Sequence, residues 1–494
     1  MDSIAIYVVV ISVYFICMLG VSIFLSKRAR SESDFFLARD QLPAVVIGFT
    51  YSATQMSGSS YLGSIGTVRT TGYAYIPSNV SSAAAPWFTY ILLGDRIRKV
   101  TSRLGSITIS DLFEARFGKR AGLYSAVIML IGTVPVIAAQ LKAAGSAFEI
   151  ILGIPYISAI FIFGAVTIIY TVVGGMFAVA WTDLIQGALM ILGFVIMLPV
   201  TLNAVGGFTQ MNLTYAQIRP EAATFDGGVY NLMWAISAFL VGGFYQIGGQ
   251  PSAVTRFMTT SDDKKLKSAL VYSIVFQSFI YFSIAVVGLC SAILLPDLAN
   301  SDLALPTLIN MYLHPLVGGI VLSAALGAMM STLDSVLLMT SSLFSQNIWV
   351  KALHRSSDDR TIVRVGRITT LVIGVLGLII AIDPPDAIIW IITMGFSFMA
   401  GAFTFPILLG LWSEKTTPIA GRAGMVSGFI GTIVWYILGY NQYGSLSKYV
   451  WGLWPAVFGS LVSLMVMLVV SRCSKPTEKE ILDIFFDDTE VATK

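Results

Sequence analysis

Within the apolar run from Ile320 to Ser335, Ala328, Ser331 and Thr332 stand at i, i+3 and i+4. On a helix that spacing puts two hydroxyls and one main-chain carbonyl on a common face. Polar groups without partners are costly in lipid, so this face must look into protein or a water-filled cavity. Ser and Thr in membrane helices also bond back to the preceding turn, which by itself would satisfy the pair. A second stretch favours a ligand. Thr50, Ser52, Thr54, Gln55, Ser57, Ser59 and Ser60 crowd the centre of another apolar segment, and an unwound backbone there frees carbonyls near Ala53 and Met56. Five oxygens with no obligatory carboxylate suit Na⁺ better than Mg²⁺ or Ca²⁺, which favour more charge or a stricter geometry.

Other side chains of the apolar segments could meet a ligand. Gln55, Ser57 and Gly58, with Tyr245, Gln246 and Gln250 of a second glycine-rich interruption at Gly242–Pro251, can line a pocket between two broken helices, with Gln140 opposite. Amides and hydroxyls bind a polar, hydrogen-bonding solute, and each can equally serve to satisfy a helix break. Asp183, early in a span, is a costly carboxylate unless it meets a cation or a donor. Asp334 is turned off the Ala328–Thr332 face and is expected to support the site or line an ion exit. Lys142, the only basic residue inside a span, either snorkels outward, pairs with an acid or meets a substrate carboxylate.

The elements that must position these groups are transmembrane. The 494-residue chain is 56% hydrophobic and 12% charged, where soluble domains carry roughly 25% charged residues, so it reads as an all-α polytopic membrane protein. Thirteen segments are long enough to span: 4–25, 44–67, 72–94, 122–152, 155–173, 180–204, 229–249, 268–295, 318–350, 363–382, 387–412, 424–438 and 450–470. With the N-terminus outside, all of the 30 Lys and Arg fall in cytoplasmic segments except Arg69, Arg219 and Lys448 outside and Lys142 within a span. That asymmetry supports an outside N-terminus and a cytoplasmic C-terminus. The first span lacks a basic start and a cleavage site, so it is expected to stay attached.

Five spans separate the two interruptions, the pattern of an inverted repeat with a site near mid-membrane; packing by small residues is a competing account of the glycines. The expected organisation is a leading span and linker (1–42), a first five-helix repeat (43–204), an outside loop capping the outer vestibule (205–228), a second repeat (229–412), two trailing spans (413–471) and a cytoplasmic tail (472–494) that from Pro476 forms a surface helix that frays. The basic segment Asp95–Arg120, with an amphipathic Ser106–Phe117, reads as a membrane-surface topology determinant. Cys17, Cys290 and Cys473 show no paired spacing, and two histidines, His314 and His354, leave little scope for a metal cluster or a catalytic pair.

Three stretches carry a family resemblance. Tyr170–Gly187 (YTVVGGMFAVAWTDLIQG), Ala328–Ser335 (AMMSTLDS) and Ile107–Phe117 (ITISDLFEARF) resemble signatures of the sodium:solute symporters, with similarity from about Asp34 to Trp412. The resemblance implies a leucine-transporter-type 5+5 fold, no enzymatic activity and Na⁺-coupled uptake. By motif, the sodium ligands would be backbone oxygens of Ala53, Met56 and Ala328 with the side chains of Ser331 and Thr332, and Asp183 would hold a second Na⁺ or form an intracellular gate. Leu294–Leu298, Leu305–Leu308 and Pro384–Trp390 resemble the pantothenate branch. The Ala53–Gly58 segment resembles the proline branch too, but Gln55 stands where proline carriers have an acid.

The expected function is import of a small polar solute, a carboxylate such as pantothenate or a monocarboxylate, across a bacterial cytoplasmic membrane, with Na⁺, solute and lipid as the partners and neither nucleic acid nor an obligatory protein partner. Proline, sialic acid or a sugar are alternative cargoes, and a non-transporting sensor, a channel and an intramembrane enzyme are weaker readings.

Overall fold

A computed structural model describes residues 3–27, 31–224, 231–355, 358–383, 388–446 and 448–487. Among these residues there is no strand. Among the described residues, ten helices are long and apolar enough to cross a membrane. Large apolar side chains such as Val13, Ile16, Phe24, Val195, Val275, Ile368 and Met465 stand exposed around the bundle, far more than a water-facing surface tolerates. The surrounding solvent is therefore lipid.

The two segments read as the second and third spans are not single rods, which is why they fall outside those ten. The helix Ala44–Gln55 stops at Met56, whose backbone is extended (φ −82°, ψ 106°), and a π-turn resumes at Ser59–Ser64 before Ile65–Thr71. The next segment runs as a 3₁₀ turn Gly72–Tyr75, a helix Ile76–Thr89 and a π-turn Tyr90–Gly94. The fifth and sixth spans form one rod, Tyr156–Ala204, broken only at Gly175, where φ is +66°. A Cβ there would lie 2.8 Å from the Phe35 ring, so the break needs glycine both for its dihedral and for the close approach.

At the centre is Pro315–Ser342, continued by a π-helical stretch Leu343–Ala352. It is the most enclosed of the long helices, 83% buried along its most apolar stretch, and it packs on Ala44–Gln55, on Lys119–Leu152 and on the Tyr156–Ala204 rod. A helix apolar on every side is stable only when protein surrounds it. That places its hydroxyl face deep inside the bundle.

Two peripheral expectations change. The Ser106–Phe117 segment holds a helix, Ile109–Phe117, started by a reciprocal cap between Thr108 and Asp111. It does not lie loose on a membrane surface. Arg116 is buried and donates to the carbonyls of Gly410 (2.9 Å), Ser413 (2.9 Å) and Thr416 (3.0 Å), while Lys351 Nζ sits 2.7 Å from both Asp111 and Glu114. Burial pushes the Arg116 guanidinium down to about 10. The tail forms a helix as expected, Lys479–Phe486, but one whose Phe485 is buried against the bundle. Asp488 and Glu490, like Pro384–Ala387 of the pantothenate-like motif, lie outside the described residues. In the loop after residue 204, a helix Phe208–Ile218 packs down, and Arg219 donates to the carbonyls of Arg69 (2.7 Å) and Thr70 (3.1 Å).

Candidate functional site

The break after Gln55 turns its carbonyls toward the central helix. Ser331 Oγ lies 2.9 Å from the Ala53 carbonyl and 3.1 Å from that of Ala328. Thr332 Oγ1 lies 3.0 Å from the Thr54 carbonyl, 3.1 Å from that of Met56 and 3.3 Å from that of Ala328. All of these residues are buried. Each hydroxyl has one proton to give. Two protons cannot serve all of these short contacts at once, so the cluster holds more lone pairs than donors. A small cation relieves such a surplus, and the donor set, neutral oxygens only, suits Na⁺. The Thr54 carbonyl belongs to this cluster and was not expected; its signal is only that it sits between Ala53 and Met56 in the same break.

Asp183 is brought to an arginine. Thr50 Oγ1 donates to Asp183 Oδ2 at 2.5 Å, and Arg256 Nη2 lies 3.6 Å from the same oxygen. Arg256 also donates to Ser335 Oγ (2.5 Å), the Ser252 carbonyl (2.7 Å) and Thr50 Oγ1 (3.3 Å). Placing Arg256 among the cytoplasmic basic residues is therefore corrected: it is fully buried, in the short turn Thr255–Met258 after the second break. A guanidinium inside the bundle has to bring its partners with it, and here they are the Asp183 carboxylate, the Thr50 and Ser335 hydroxyls and the Ser252 carbonyl. Asp334, turned off the oxygen face as expected, accepts from the Tyr170 hydroxyl and from Ser335 Oγ (3.2 Å). Ser335 in turn is 2.9 Å from Thr54 Oγ1. One hydrogen bond therefore separates the charged network from the break that carries the oxygen cluster.

Between the two broken helices lies a cavity of about 50 Å³, partly open to solvent. Gln55, Ser57, Tyr245, Gln246 and Gln250 line it as expected, joined by Ser78, Asn79, Ser82, Tyr281 and Trp454, which the sequence reading missed. The second break begins in a π-turn, Tyr245–Gly249, and is sharpest at Gln250 (φ −123°, ψ 66°), ahead of the single turn Pro251–Val254. Tyr245 is fixed by its hydroxyl, 3.2 Å from the Thr393 carbonyl and 2.9 Å from Ser397 Oγ. Gln55 Nε2, Asn79 Nδ2, Gln246 Oε1 and Gln250 Oε1 are buried without a hydrogen-bond partner among the described residues. Buried polar atoms are rarely left so, and a solute would complete them.

Gly58, Gln140 and Lys142 do not line this cavity. Gln140 Oε1 instead accepts from the Gly58 amide at 2.7 Å, closing the first break from behind, and a Cβ on Gly58 would lie 2.6 Å from Ala143. Lys142 is half-buried on the same helix as Gln140. No cluster of His, Cys, Asp and Glu that would hold a transition metal occurs among the described residues.

The sequence model of the sodium:solute symporter family matches residues 35–431. The chain is 27% identical to the sodium/pantothenate symporter of Haemophilus influenzae over 91% of its length and 94% of that protein's. It is 26% identical to the high-affinity proline transporter of Bacillus subtilis over 95% and 98%. Among solved structures, a Na⁺-coupled sialic acid symporter in a substrate-bound outward-open state superimposes with a TM-score of 0.80 at 21% identity, covering 96% of this chain and 99% of that one. A nucleobase-cation symporter in a closed conformation does so at 0.55 and 12%, covering 91% and 98%. The fold is thus the leucine-transporter type shared by these carriers, and a family match over most of its length makes this chain a member of the sodium:solute symporter family, multi-pass membrane carriers that use Na⁺ as coupling ion and are not enzymes.

Proposed function

We propose that this protein imports a small polar organic solute together with Na⁺ by alternating access. Na⁺ would bind among the carbonyls of Ala53, Met56 and Ala328 and the hydroxyls of Ser331 and Thr332, and the solute in the cavity lined by Gln55, Ser57, Tyr245, Gln246 and Gln250. The observation that carries this reading is the surplus of lone pairs where the first break meets the central helix. The same break supplies both sites: the carbonyls of Ala53 and Met56 face the cluster, and the side chains of Gln55 and Ser57 face the cavity. A cation that fixes the break therefore also fixes the cavity wall. Each ligand favours the other's binding by the same factor, as coupling requires. Loss of Na⁺ to the cytoplasm would loosen the break and release the solute.

Import also needs a direction. The distribution of Lys and Arg supports an outside N-terminus, with the Asp95–Arg120 segment and the C-terminal tail on the cytoplasmic side. Residues 43–204 and 229–412 would be the two repeats, each entered through its own broken helix.

Relatives named for pantothenate and proline support a carboxylate-bearing cargo. No Lys or Arg lines the cavity among the described residues, so a carboxylate there would be received by neutral donors such as Gln55 Nε2 and Asn79 Nδ2. Tyr75, Tyr245, Phe396 and Trp454 add an apolar wall, which suits a solute with one hydrocarbon face, and a sugar or sialic acid is the alternative cargo. The test is uptake of radiolabelled pantothenate, lactate, proline, sialic acid and glucose into proteoliposomes, with and without an inward Na⁺ gradient. Saturable accumulation that collapses with the gradient is expected for one of these, and accumulation indifferent to Na⁺ would sink the proposal.

A further inference from the structure

At the end of the bundle that carries the tail helix, the helix Asp95–Leu104 presents Arg96, Lys99 and Arg103 along one side, at i, i+3 and i+7. Together with Ile91, Val100, Trp412 and Phe485 they line a cavity of about 150 Å³ far from the solute site. Asp95 and the tail's Asp487 also face it. Arg96 stacks on Trp412, its guanidinium carbon 3.9 Å from the ring centre, and donates to the Leu411 carbonyl at 3.0 Å. It forms no ion pair among the described residues. Arg103 donates to the main-chain carbonyls of Ile484 (2.9 Å) and Asp487 (2.6 Å), and Lys99 pairs with Asp95 at 3.0 Å. Asp95 is shared with Arg98 at 2.6 Å, and Arg98 also lies 4.0 Å from Asp263.

The apolar rim of the cavity points to what fills it. Ile91 and Trp412 are about half or more exposed, as are Trp87 and Phe88 on the preceding turn. Ile91 and Trp412 line the cavity beside the basic row. Trp412 is held by its own indole N–H, which donates to the Leu92 carbonyl at 2.7 Å. Indole at the membrane interface beside a row of Arg and Lys is the arrangement that receives an acyl chain on one side and an anionic group on the other.

We infer that this cavity binds the phosphate of an anionic phospholipid, with Arg96, Lys99 and Arg103 around the headgroup and the acyl chain against Ile91, Trp87 and Trp412. The tail helix forms one wall, so the bound lipid ties the C-terminal segment to the basic helix.

The test is native mass spectrometry of the full-length protein in detergent with phosphatidylglycerol, with phosphatidylcholine of identical chains, or with inorganic phosphate alone. Retention of phosphatidylglycerol in preference to phosphatidylcholine is expected. Lys99→Gln, at a half-exposed site that should not disturb folding, should weaken it about fivefold. Arg96→Gln/Lys99→Gln/Arg103→Gln should abolish the preference. Lys119→Gln/Arg120→Gln/Arg360→Gln, at exposed positions elsewhere, should leave it intact. Equal retention of the two lipids, an unchanged preference in the Lys99→Gln and triple variants, or an equal loss in the control triple overturns the inference. Competition by millimolar phosphate alone would assign the site to a soluble anion and overturn it as well. Solute uptake plays no part in this readout, so it stands apart from the transport proposal.

Discussion

The Oγ of Ser331 lies 2.9 Å from the carbonyl of Ala53, a residue 278 positions earlier, across the junction of the first broken helix and the central helix. Neither residue is charged, and neither would draw notice alone. Together with Thr332 and the Thr54, Met56 and Ala328 carbonyls they form a pocket with more acceptor lone pairs than hydroxyl protons.

If Na⁺ occupies that pocket, Ser331→Ala or Thr332→Ala removes one of its ligands. Each change should cost on the order of 1–2 kcal/mol of Na⁺ binding, about a 5- to 30-fold rise in half-saturating Na⁺. Thr332→Ser keeps the oxygen and should remain near the parent. The measurement is solute uptake or binding against Na⁺ concentration; an unchanged Na⁺ dependence in the double alanine variant would show that the ion binds elsewhere.

Arg256 and Asp183 are fully buried and 3.6 Å apart, so removing one leaves the other's charge exposed to a poor solvent. Arg256→Gln should destabilise the protein by about 3–5 kcal/mol. Pairing Arg256→Met with Asp183→Asn removes both charges and should recover much of that loss. A double-mutant cycle on thermal unfolding in detergent reads the coupling, and additive effects would mean that the two side chains do not support each other.

Much of this was legible in the sequence because it rests on local pattern. The i, i+3, i+4 spacing of Ala328, Ser331 and Thr332 survives folding unchanged, and polar residues in the middle of apolar runs did mark both helix breaks. What local pattern cannot carry is the partner across the bundle. Arg256 read as a loop charge because nothing near it in sequence shows that Asp183, Thr50 and Ser335 surround it. Gln140 read as a cavity residue because its helix position is right; only the packed structure shows its oxygen taken by the Gly58 amide. Asn79 and Trp454 enter the cavity from segments that carry no unusual pattern of their own.

Gly175 is the only non-helical residue inside a 49-residue rod, and its φ of +66° with ψ −176° is a region that is essentially glycine's own, costing other residues about 1–3 kcal/mol. Gly175→Ala adds to that a contact of 2.8 Å with the Phe35 ring. Straightening the rod instead would carry the Tyr170 side away from Asp334. The variant should therefore unfold at a lower temperature than the parent, whereas Gly153→Ala, at a positive φ with open space around it, should lose only the backbone part. Gly153 is in the milder left-handed helical region (ψ 17°), so Gly175→Ala should lose more in thermal unfolding, and equal losses would show that neither the Phe35 contact nor the extended ψ of Gly175 adds a cost.

Glu32 opens the short helix Glu32–Phe36, and its Oε1 is buried without a hydrogen-bond partner among the described residues. Burial, with the nearby carboxylates Asp359 and Asp111, pushes its carboxyl up to about 7, while an unfolded Glu titrates near 4.3. Between those values the folded protein holds a proton that the unfolded chain has released. Stability contributed by this residue is therefore highest below pH 4, falls as pH rises toward 7 and levels off above it. Asp111 acts in the opposite sense but outside this window. Burial would raise its carboxyl, yet the Lys351 ammonium and the amides of Thr108 and Ile107 hold it below its ordinary 3.8, so its contribution is constant above that range and fades only as pH falls through the lowered value. Glu32→Gln keeps the shape and removes the charge. It should raise the unfolding temperature at pH 8, matter little at pH 5 and flatten the profile between them, which thermal unfolding at several pH values would read directly. A variant less stable than the parent at pH 8 would mean that the ionised carboxylate has a partner that offsets its burial.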